Sequence, residues 1–143
     1  MNYMKDKIFI DTNILIYAYS LNDIDKYEKS KFVIFKDKKK YPKIISTQSI
    51  NEFTATLTKA KIDTETIKSY FYEIVKSFHV VNIDLKIIEF SYYIKDKYGL
   101  SWWDSLLIST ALCNDCEMFY SEDLQHNQII ENKLKIFNPL ISL

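Results

Sequence analysis

Short apolar runs alternate along the chain with longer amphipathic segments. The first run, Ile8, Phe9 and Ile10, ends at Asp11. A continuous run of this length is typical of a strand that is buried on both faces of a sheet. Five strands are predicted on this basis, at residues 7–11, 43–46, 79–83, 117–120 and 134–137. Helical segments separate most of them, so a mostly parallel sheet is expected.

The segments between these strands predict helices that cover both faces of the sheet. Helices are predicted at residues 23–39, 48–60 and 63–78, from Asp84 to near Gly99, and from Ser101 to about Leu112. The apolar stripe of the first of them is irregular. Asp84 and Ser101 are favoured helix N-caps, and Gly99 is a favoured terminator. The chain therefore predicts a single α/β domain over residues 1–143.

Composition and charge narrow the function classes. The chain has 143 residues, of which 48% are hydrophobic, enough for a core without disulfides. Its 19 basic and 19 acidic residues give no net charge. This argues against a protein that binds nucleic acid through a large overall positive charge, but not against an enzyme that contacts nucleic acid at one local site. Every basic residue is Lys, so phosphate contacts cannot use guanidinium forks. With no apolar run as long as a membrane span and no signal-peptide core, we expect a cytoplasmic protein without a membrane partner.

Acidic residues follow several of the predicted strands. Asp11 ends the first strand, Glu52 lies in the helix after the second, and Asp123 follows the fourth. Asp104 falls inside an apolar arc of its helix, which is unusual for a solvent-facing charge. Ligands of open parallel sheets bind beyond the carboxyl ends of the strands. We therefore expect these acids to converge at one edge of the sheet.

Each acid also has a simpler interpretation. Asp11 could cap the helix that follows it, and Asp104 completes a Ser-x-x-acid capping box that starts at Ser101. Glu52 could be a solvated helix charge, and Asp123 could make an Asx turn. Together, however, four carboxylates without His or Cys suit Mg²⁺ or Mn²⁺, and such a cation would supply their missing countercharge.

The order and spacing of four short motifs resemble PIN-domain nucleases, and in particular VapC-like toxins of bacterial and archaeal toxin–antitoxin pairs. The motifs are Asp11-Thr12-Asn13, residues 48–53 (QSINEF), residues 101–106 (SWWDSL) and residues 120–125 (YSEDLQ). The resemblance spans nearly the whole chain, and its most specific part is WWDSLLISTAL followed by MFYSEDLQ and NPL. Asn127 and Asn132 stand where related sequences often have glycine, and Asn is well suited to a left-handed turn.

This resemblance implies a fold and an activity. The sheet would have the strand order 3-2-1-4-5. The protein would be a Mg²⁺- or Mn²⁺-dependent endoribonuclease that leaves 5′-phosphate and 3′-hydroxyl ends. The resemblance also implies a homodimer and a small antitoxin protein whose tail covers the acidic pocket. It assigns catalytic and metal-binding roles to Asp11, Glu52, Asp104 and Asp123, and supporting polar roles to Asn13 and Ser121.

Two further features are candidate RNA contacts. One is the dense basic run, formed by Lys36, Lys38, Lys39, Lys40 and Lys43. The simpler interpretation, which we prefer, is a solvated helix end, where lysines suit the helix dipole. The other is the pair Trp102 and Trp103, which could stack a base or lie in the core.

Two other functions use an aspartate at the end of strand one. A phosphotransferase of the haloacid-dehalogenase type would use Asp11 as nucleophile, but it typically has Asp-x-Asp, and here the third residue is Asn13. A phospho-accepting receiver module, a signalling protein, needs an acidic pair near strand one and a lysine after a late strand. The acids of this chain are not distributed in that way.

Overall fold

A six-stranded sheet runs through the computed structural model, which describes residues 6–37 and 41–141. Its strand order is β3-β2-β1-β4-β6-β5. Neighbouring strands are parallel except for the pair β5 and β6, which is antiparallel. The strands are β1 (Ile8–Ile10), β2 (Lys43–Ser46), β3 (His79–Val81), β4 (Met118–Tyr120), β5 (Ile129–Ile130) and β6 (Leu134–Phe137).

The five predicted strands are confirmed, and their order 3-2-1-4-5 holds with β6 in the fifth position. The sequence did not predict β5, which adds an antiparallel edge to the sheet. It has only two residues, too few to give a periodic signal. Asn127 and Asn132 flank it with φ angles of 70° and 56°, so the left-handed turns expected of these asparagines are present.

Six α-helices surround the sheet in the part of the chain that the structure describes. They are α1 (Thr12–Tyr17), α2 (Ile24–Lys31), α3 (Thr47–Lys59), α4 (Thr64–Ser77), α5 (Leu85–Tyr98) and α6 (Trp102–Cys113). Helix α2 continues as a π-helical turn over Phe32–Lys36, so the described part of the helix predicted at 23–39 is a regular α-helix only in its first half. Positions 38 and 39 of that prediction lie outside the described residues. The wider turn changes the phase of the apolar stripe, which explains its irregularity in the sequence. None of the described helices is both long and apolar enough to cross a membrane.

The side chains of β1 explain why its apolar run is continuous. Phe9 points into a core cluster formed with α5 and α6. Ile8 and Ile10 point into a second cluster, formed with α1, α3 and α4. All three side chains are almost completely buried. The strand is therefore covered on both faces, and Asp11 is the first residue at its end that can face a ligand.

The connection between α5 and α6 places Asp104 at the carboxyl edge of the sheet. Gly99 ends α5 in the left-handed conformation, with φ 64°, and its N–H donates to the Lys95 carbonyl. Two residues later the Ser101 hydroxyl accepts from the Asp104 N–H and starts α6. The predicted cap residues are therefore confirmed. This tight turn fixes the first turn of α6, which carries Asp104.

Replacing Gly99 with Ala should lower the free energy of unfolding by roughly 1 kcal/mol, because an L-residue resists the left-handed conformation. No atom lies within 4 Å of an added Cβ at this described position, so the cost comes from the backbone. Gly99→Asn is the matched control and should lose less, since Asn tolerates this conformation better. Urea unfolding measures both. Equal stability of Gly99→Ala and the wild type would contradict the left-handed assignment.

Candidate metal centre

Four carboxylates from four different elements line one cleft of about 150 Å³. Asp11 stands between β1 and α1, Glu52 lies in α3, Asp104 in the first turn of α6, and Asp123 in the loop after β4. The rest of the lining is formed by Thr12, Asn13, Ile16, Thr56, Trp103 and Leu107. The structure thus brings together the acids that the sequence places at this edge. Their roles as metal ligands stay a prediction.

Two larger hollows, of about 470 and 410 Å³, both adjoin Tyr19 and Leu21. Among the described residues that line them there is one carboxylate, Glu73, which accepts a hydrogen bond from the Tyr19 hydroxyl. Neither hollow offers the grouped oxygen ligands that a hard cation needs. Chemistry rather than size therefore identifies the smaller cleft as the candidate site.

Asp11 is held in the cleft by Ser121. The Ser121 hydroxyl donates to Asp11 Oδ2 at 2.9 Å, and both residues are buried. Backbone bonds fix their positions, since the Asp11 N–H donates to the Tyr120 carbonyl and the Ser121 N–H to the Phe137 carbonyl. Asp11 does occupy the N-cap position of α1, but its carboxylate is held by Ser121. The supporting role predicted for Ser121 thus has a geometric basis.

Burial raises the pKa of Asp11 from 3.8 to about 7. The hydrogen bond from Ser121 opposes this rise, whereas the charges of Asp104 and Asp123 add to it. Ionisation of Asp11 in the folded chain is therefore costly without a compensating positive charge. A bound cation is one source of that charge.

Glu52 is half-buried in the cleft, although the helical wheel of α3 places it opposite the apolar stripe. The Thr12 hydroxyl donates to Glu52 Oε1 at 3.3 Å. Burial raises the pKa of Glu52, the Thr12 hydrogen bond opposes the rise, and the charge of Asp104 adds to it. Thr12 is a site residue that the sequence did not single out, and its position directly after Asp11 was the available signal.

Asp123 is exposed and is held by Asn13, whose side-chain amide donates to Asp123 Oδ2 at 2.5 Å. The turn in this loop is made by Ser121, whose hydroxyl accepts from the N–H groups of Asp123 and Leu124. Ser121, and not the Asp123 carboxylate, therefore makes this turn, and Asp123 lines the cleft.

Asp104 forms half of the predicted capping box. Its N–H donates to the Ser101 hydroxyl at 3.1 Å, and its side chain is half-buried in the cleft lining. Capping and cleft lining are therefore compatible in this residue. Its place in the first turn also puts a negative charge at the favourable end of the α6 dipole.

Glu122, next to Asp123, is engaged outside the cleft lining. Its carboxylate accepts from Tyr17 at 2.6 Å and forms an ion pair with Lys26 at 2.8 Å. Burial alone would raise the pKa of Glu122, but these hydrogen bonds hold it below its ordinary value. No local sequence pattern indicates this contact, because Lys26 and Glu122 are distant in the chain.

The candidate RNA contacts of the basic run are only partly described. Lys38, Lys39 and Lys40 lie outside the described residues. Lys36 is exposed at the end of the π-helical turn. Lys43 begins β2 opposite Ile8, at the amino edge of the sheet, whereas the cleft lies at the carboxyl edge. An RNA contact by Lys43 stays a prediction, but its place at the edge opposite the cleft does not favour it.

The cleft has the ligand chemistry of a hard divalent cation. Carboxylate, hydroxyl and amide oxygens line it, and its lining contains no His or Cys among the described residues. Within residues 6–37 and 41–141, no three acidic, His or Cys side chains are already arranged to hold an ion by themselves. Mg²⁺ usually keeps several waters and takes one or two carboxylates.

Several solved structures have a fold similar to that of this chain. A toxin–antitoxin complex from Klebsiella pneumoniae matches with 20% identity and a TM-score of 0.69, over 93% of this chain and 98% of that one. The sarcin–ricin loop cleaving toxin VapC20 of Mycobacterium tuberculosis matches with 15% identity and a TM-score of 0.66, over 82% and 90%. VapBC2 of Rickettsia felis, bound to a promoter DNA fragment, matches with 18% identity and a TM-score of 0.62, over 92% and 98%.

At these identities the solved structures establish the fold alone, and a search of curated proteins gave no match. The family model described as "PIN domain", however, matches residues 8–131. This range includes every strand except β6 and all four cleft carboxylates. The chain therefore belongs to the PIN-domain family.

Proposed function

We propose that this PIN-domain protein is a divalent-metal-dependent endoribonuclease, the toxin of a toxin–antitoxin pair. It would hydrolyse RNA phosphodiester bonds and leave 5′-phosphate and 3′-hydroxyl ends. The observation that carries the proposal is the convergence of Asp11, Glu52, Asp104 and Asp123 on one small cleft. Mg²⁺ or Mn²⁺ is the proposed cofactor, and these four carboxylates are its proposed ligands.

Neutral donors hold three of the four acids. Ser121 binds Asp11, Thr12 binds Glu52, and Asn13 binds Asp123. These contacts orient the carboxylates without cancelling their charge, so the cleft remains attractive to a cation. A divalent cation bound there would lower the pKa of a water, polarise a phosphoryl oxygen and stabilise the leaving oxyanion.

The two phosphoryl-transfer alternatives are less well supported. Both need a second acid beside the strand-one aspartate, whereas the third residue here is Asn13, which donates its amide to Asp123. The family match also favours a nuclease. Incubation with a small acyl phosphate tests both, because either alternative would leave a phosphoryl group on Asp11.

The proposed partners are RNA, a small antitoxin protein and a second copy of this chain in the cytoplasm. One solved structure of similar fold is described as a toxin–antitoxin complex and another as VapBC2 bound to promoter DNA, which supports an antitoxin. An acidic cleft would suit an antitoxin tail that carries a basic side chain, since that cation could replace the metal charge. The reading frame next to this gene is the direct place to look for it.

RNA cleavage should require a divalent cation and leave 5′-phosphate ends. Purified protein is incubated with total RNA and Mg²⁺ or Mn²⁺, with and without a chelator, and the ends are identified by ligation and by phosphatase treatment. We expect the chelator to stop cleavage because the acids alone cannot activate water. Cleavage that persists in chelator and yields 2′,3′-cyclic phosphates would refute the mechanism.

Asp104→Asn should reduce cleavage by orders of magnitude while leaving the metal-free protein as stable as the wild type or more stable. The substitution removes one negative charge from the cleft, which reduces the repulsion among its carboxylates when no metal is bound. The rise in melting temperature on adding Mn²⁺ should shrink, because weaker binding stabilises the native state less. Melting curves with and without Mn²⁺, together with the cleavage assay, measure both effects.

Glu89→Gln is the matched control, since it removes one exposed acid from α5 outside the cleft lining. It should leave cleavage and the Mn²⁺-induced shift unchanged. An Asp104→Asn protein that melts lower without metal yet cleaves at the wild-type rate would show that Asp104 is a cap and not a ligand.

The metal-free protein should lose stability as pH rises. Asp11 has a pKa of about 7 when folded against an ordinary 3.8, so between these values the unfolded chain has released a proton that the folded chain keeps. The free energy of unfolding therefore falls from about pH 4 to about pH 7, by at most about 4 kcal/mol. Denaturant unfolding in chelator at several pH values measures this slope.

Asp11→Asn, which cannot titrate, is the control and should have a shallower slope than the wild type. Saturating Mn²⁺ should flatten the wild-type slope, since the cation favours the ionised carboxylate. Identical slopes for the wild type and Asp11→Asn in chelator would mean that Asp11 is not the buried acid responsible.

A further inference from the structure

Trp103 is a large exposed apolar side chain in the lining of the carboxylate cleft. It is 56% exposed, whereas the other apolar lining residues, Ile16 and Leu107, are half-buried and buried. An indole left this exposed gains little from the hydrophobic core. Its place at the cleft is therefore not explained by the packing of the fold.

The neighbouring residue Trp102 is packed against the protein, whereas Trp103 is exposed. Trp102 is half-buried and packs against Tyr92 of α5, with ring centroids 4.9 Å apart. In the described part of the chain no aromatic ring packs against Trp103, and its side chain is 56% exposed, so much of the indole faces solvent. The backbone beneath it is held by the Ser101 cap of α6. Trp103 is thus an open aromatic surface on a fixed helical turn, one residue before Asp104.

We propose that Trp103 is a base-stacking residue, which holds the nucleobase next to the phosphate that is cleaved. This inference rests on the proposed nuclease function. The cleft is small, about 150 Å³, and four carboxylates line it, so the cation and the phosphate would occupy its acidic floor and the adjoining base would lie beside Trp103. Every nucleobase has a π face, so stacking on indole does not depend on a particular base.

The charge of the site gives this contact an additional role. Carboxylates line the cleft, and the whole chain has no net charge, so phosphate attraction is weak away from the cation. Stacking supplies affinity that does not depend on ion pairs. Loss of Trp103 should therefore weaken RNA binding without changing how steeply binding responds to salt.

Cleavage kinetics test the proposal with three substitutions of Trp103. In Trp103→Ala and Trp103→Leu we expect KM to rise roughly 5- to 100-fold, the range that loss of one stacked base produces, while kcat changes less. Trp103→Phe should recover part of the loss, because it keeps an aromatic face. Tyr72→Ala is the matched control, since Tyr72 is 53% exposed on α4 outside the cleft lining, and it should not change KM.

A binding experiment tests stacking without relying on cleavage. The chain has two tryptophans, so Trp102→Phe leaves Trp103 as the sole indole fluorophore. In a variant that also carries Asp104→Asn, a short single-stranded RNA should quench this fluorescence. The same RNA annealed to its complement should quench it much less, because its bases are already stacked.

The two experiments separate failure of this inference from failure of the proposed function. If the wild type cleaves RNA but Trp103→Ala and Trp103→Leu keep its KM and no quenching occurs, the stacking role is wrong and the nuclease stands. If quenching occurs but no metal-dependent cleavage is found, the nuclease is wrong and the stacking surface stands. A switch from dimer to monomer in folded Trp103→Ala, seen by light scattering, would assign the ring to a subunit contact and overturn the proposal.

Discussion

Crowding of negative charge at the carboxyl edge of the sheet is the constraint on which the site depends. Asp11 is buried beside two other carboxylates, and its direct partner is the neutral hydroxyl of Ser121. Lys26 of α2, which reaches the loop after β4, forms its ion pair with Glu122 and not with a cleft carboxylate. The fold therefore arranges the acids and leaves their charge uncompensated, which is the condition under which a cation binds strongly.

The strands could be predicted from their short apolar runs, most clearly in β1, which is buried on both faces, whereas their order followed from the resemblance to PIN-domain nucleases. The alternate burial of Ile8, Phe9 and Ile10 in two cores leaves no polar position in β1, and the run is visible in the sequence. Strand β5 could not be predicted, since two residues carry no period. Its position is fixed by tertiary pairing with β6 and by the turns at Asn127 and Asn132.

The acids of the cleft could be named from motif order, but their surroundings could not. The helical wheel of α3 places Glu52 away from the sheet, yet α3 also packs on α1, whose first residue, Thr12, binds the carboxylate. A helical wheel shows the faces of one helix but not which other helices pack against them. The contact of Lys26 with Glu122 and the exposure of Trp103 likewise depend on tertiary structure, so neither had a local signal.

The pairing of Asp11 with Ser121 joins the first strand of the chain to the fourth. During synthesis β1 is made before its partner β4, and Ser121 follows Asp11 by 110 residues. A nascent chain that lacks this region has Asp11 without its hydrogen bond and a cleft without Asp123. The cleft is therefore assembled only after β4 and the loop that follows it have been synthesised, and shorter nascent chains do not carry it.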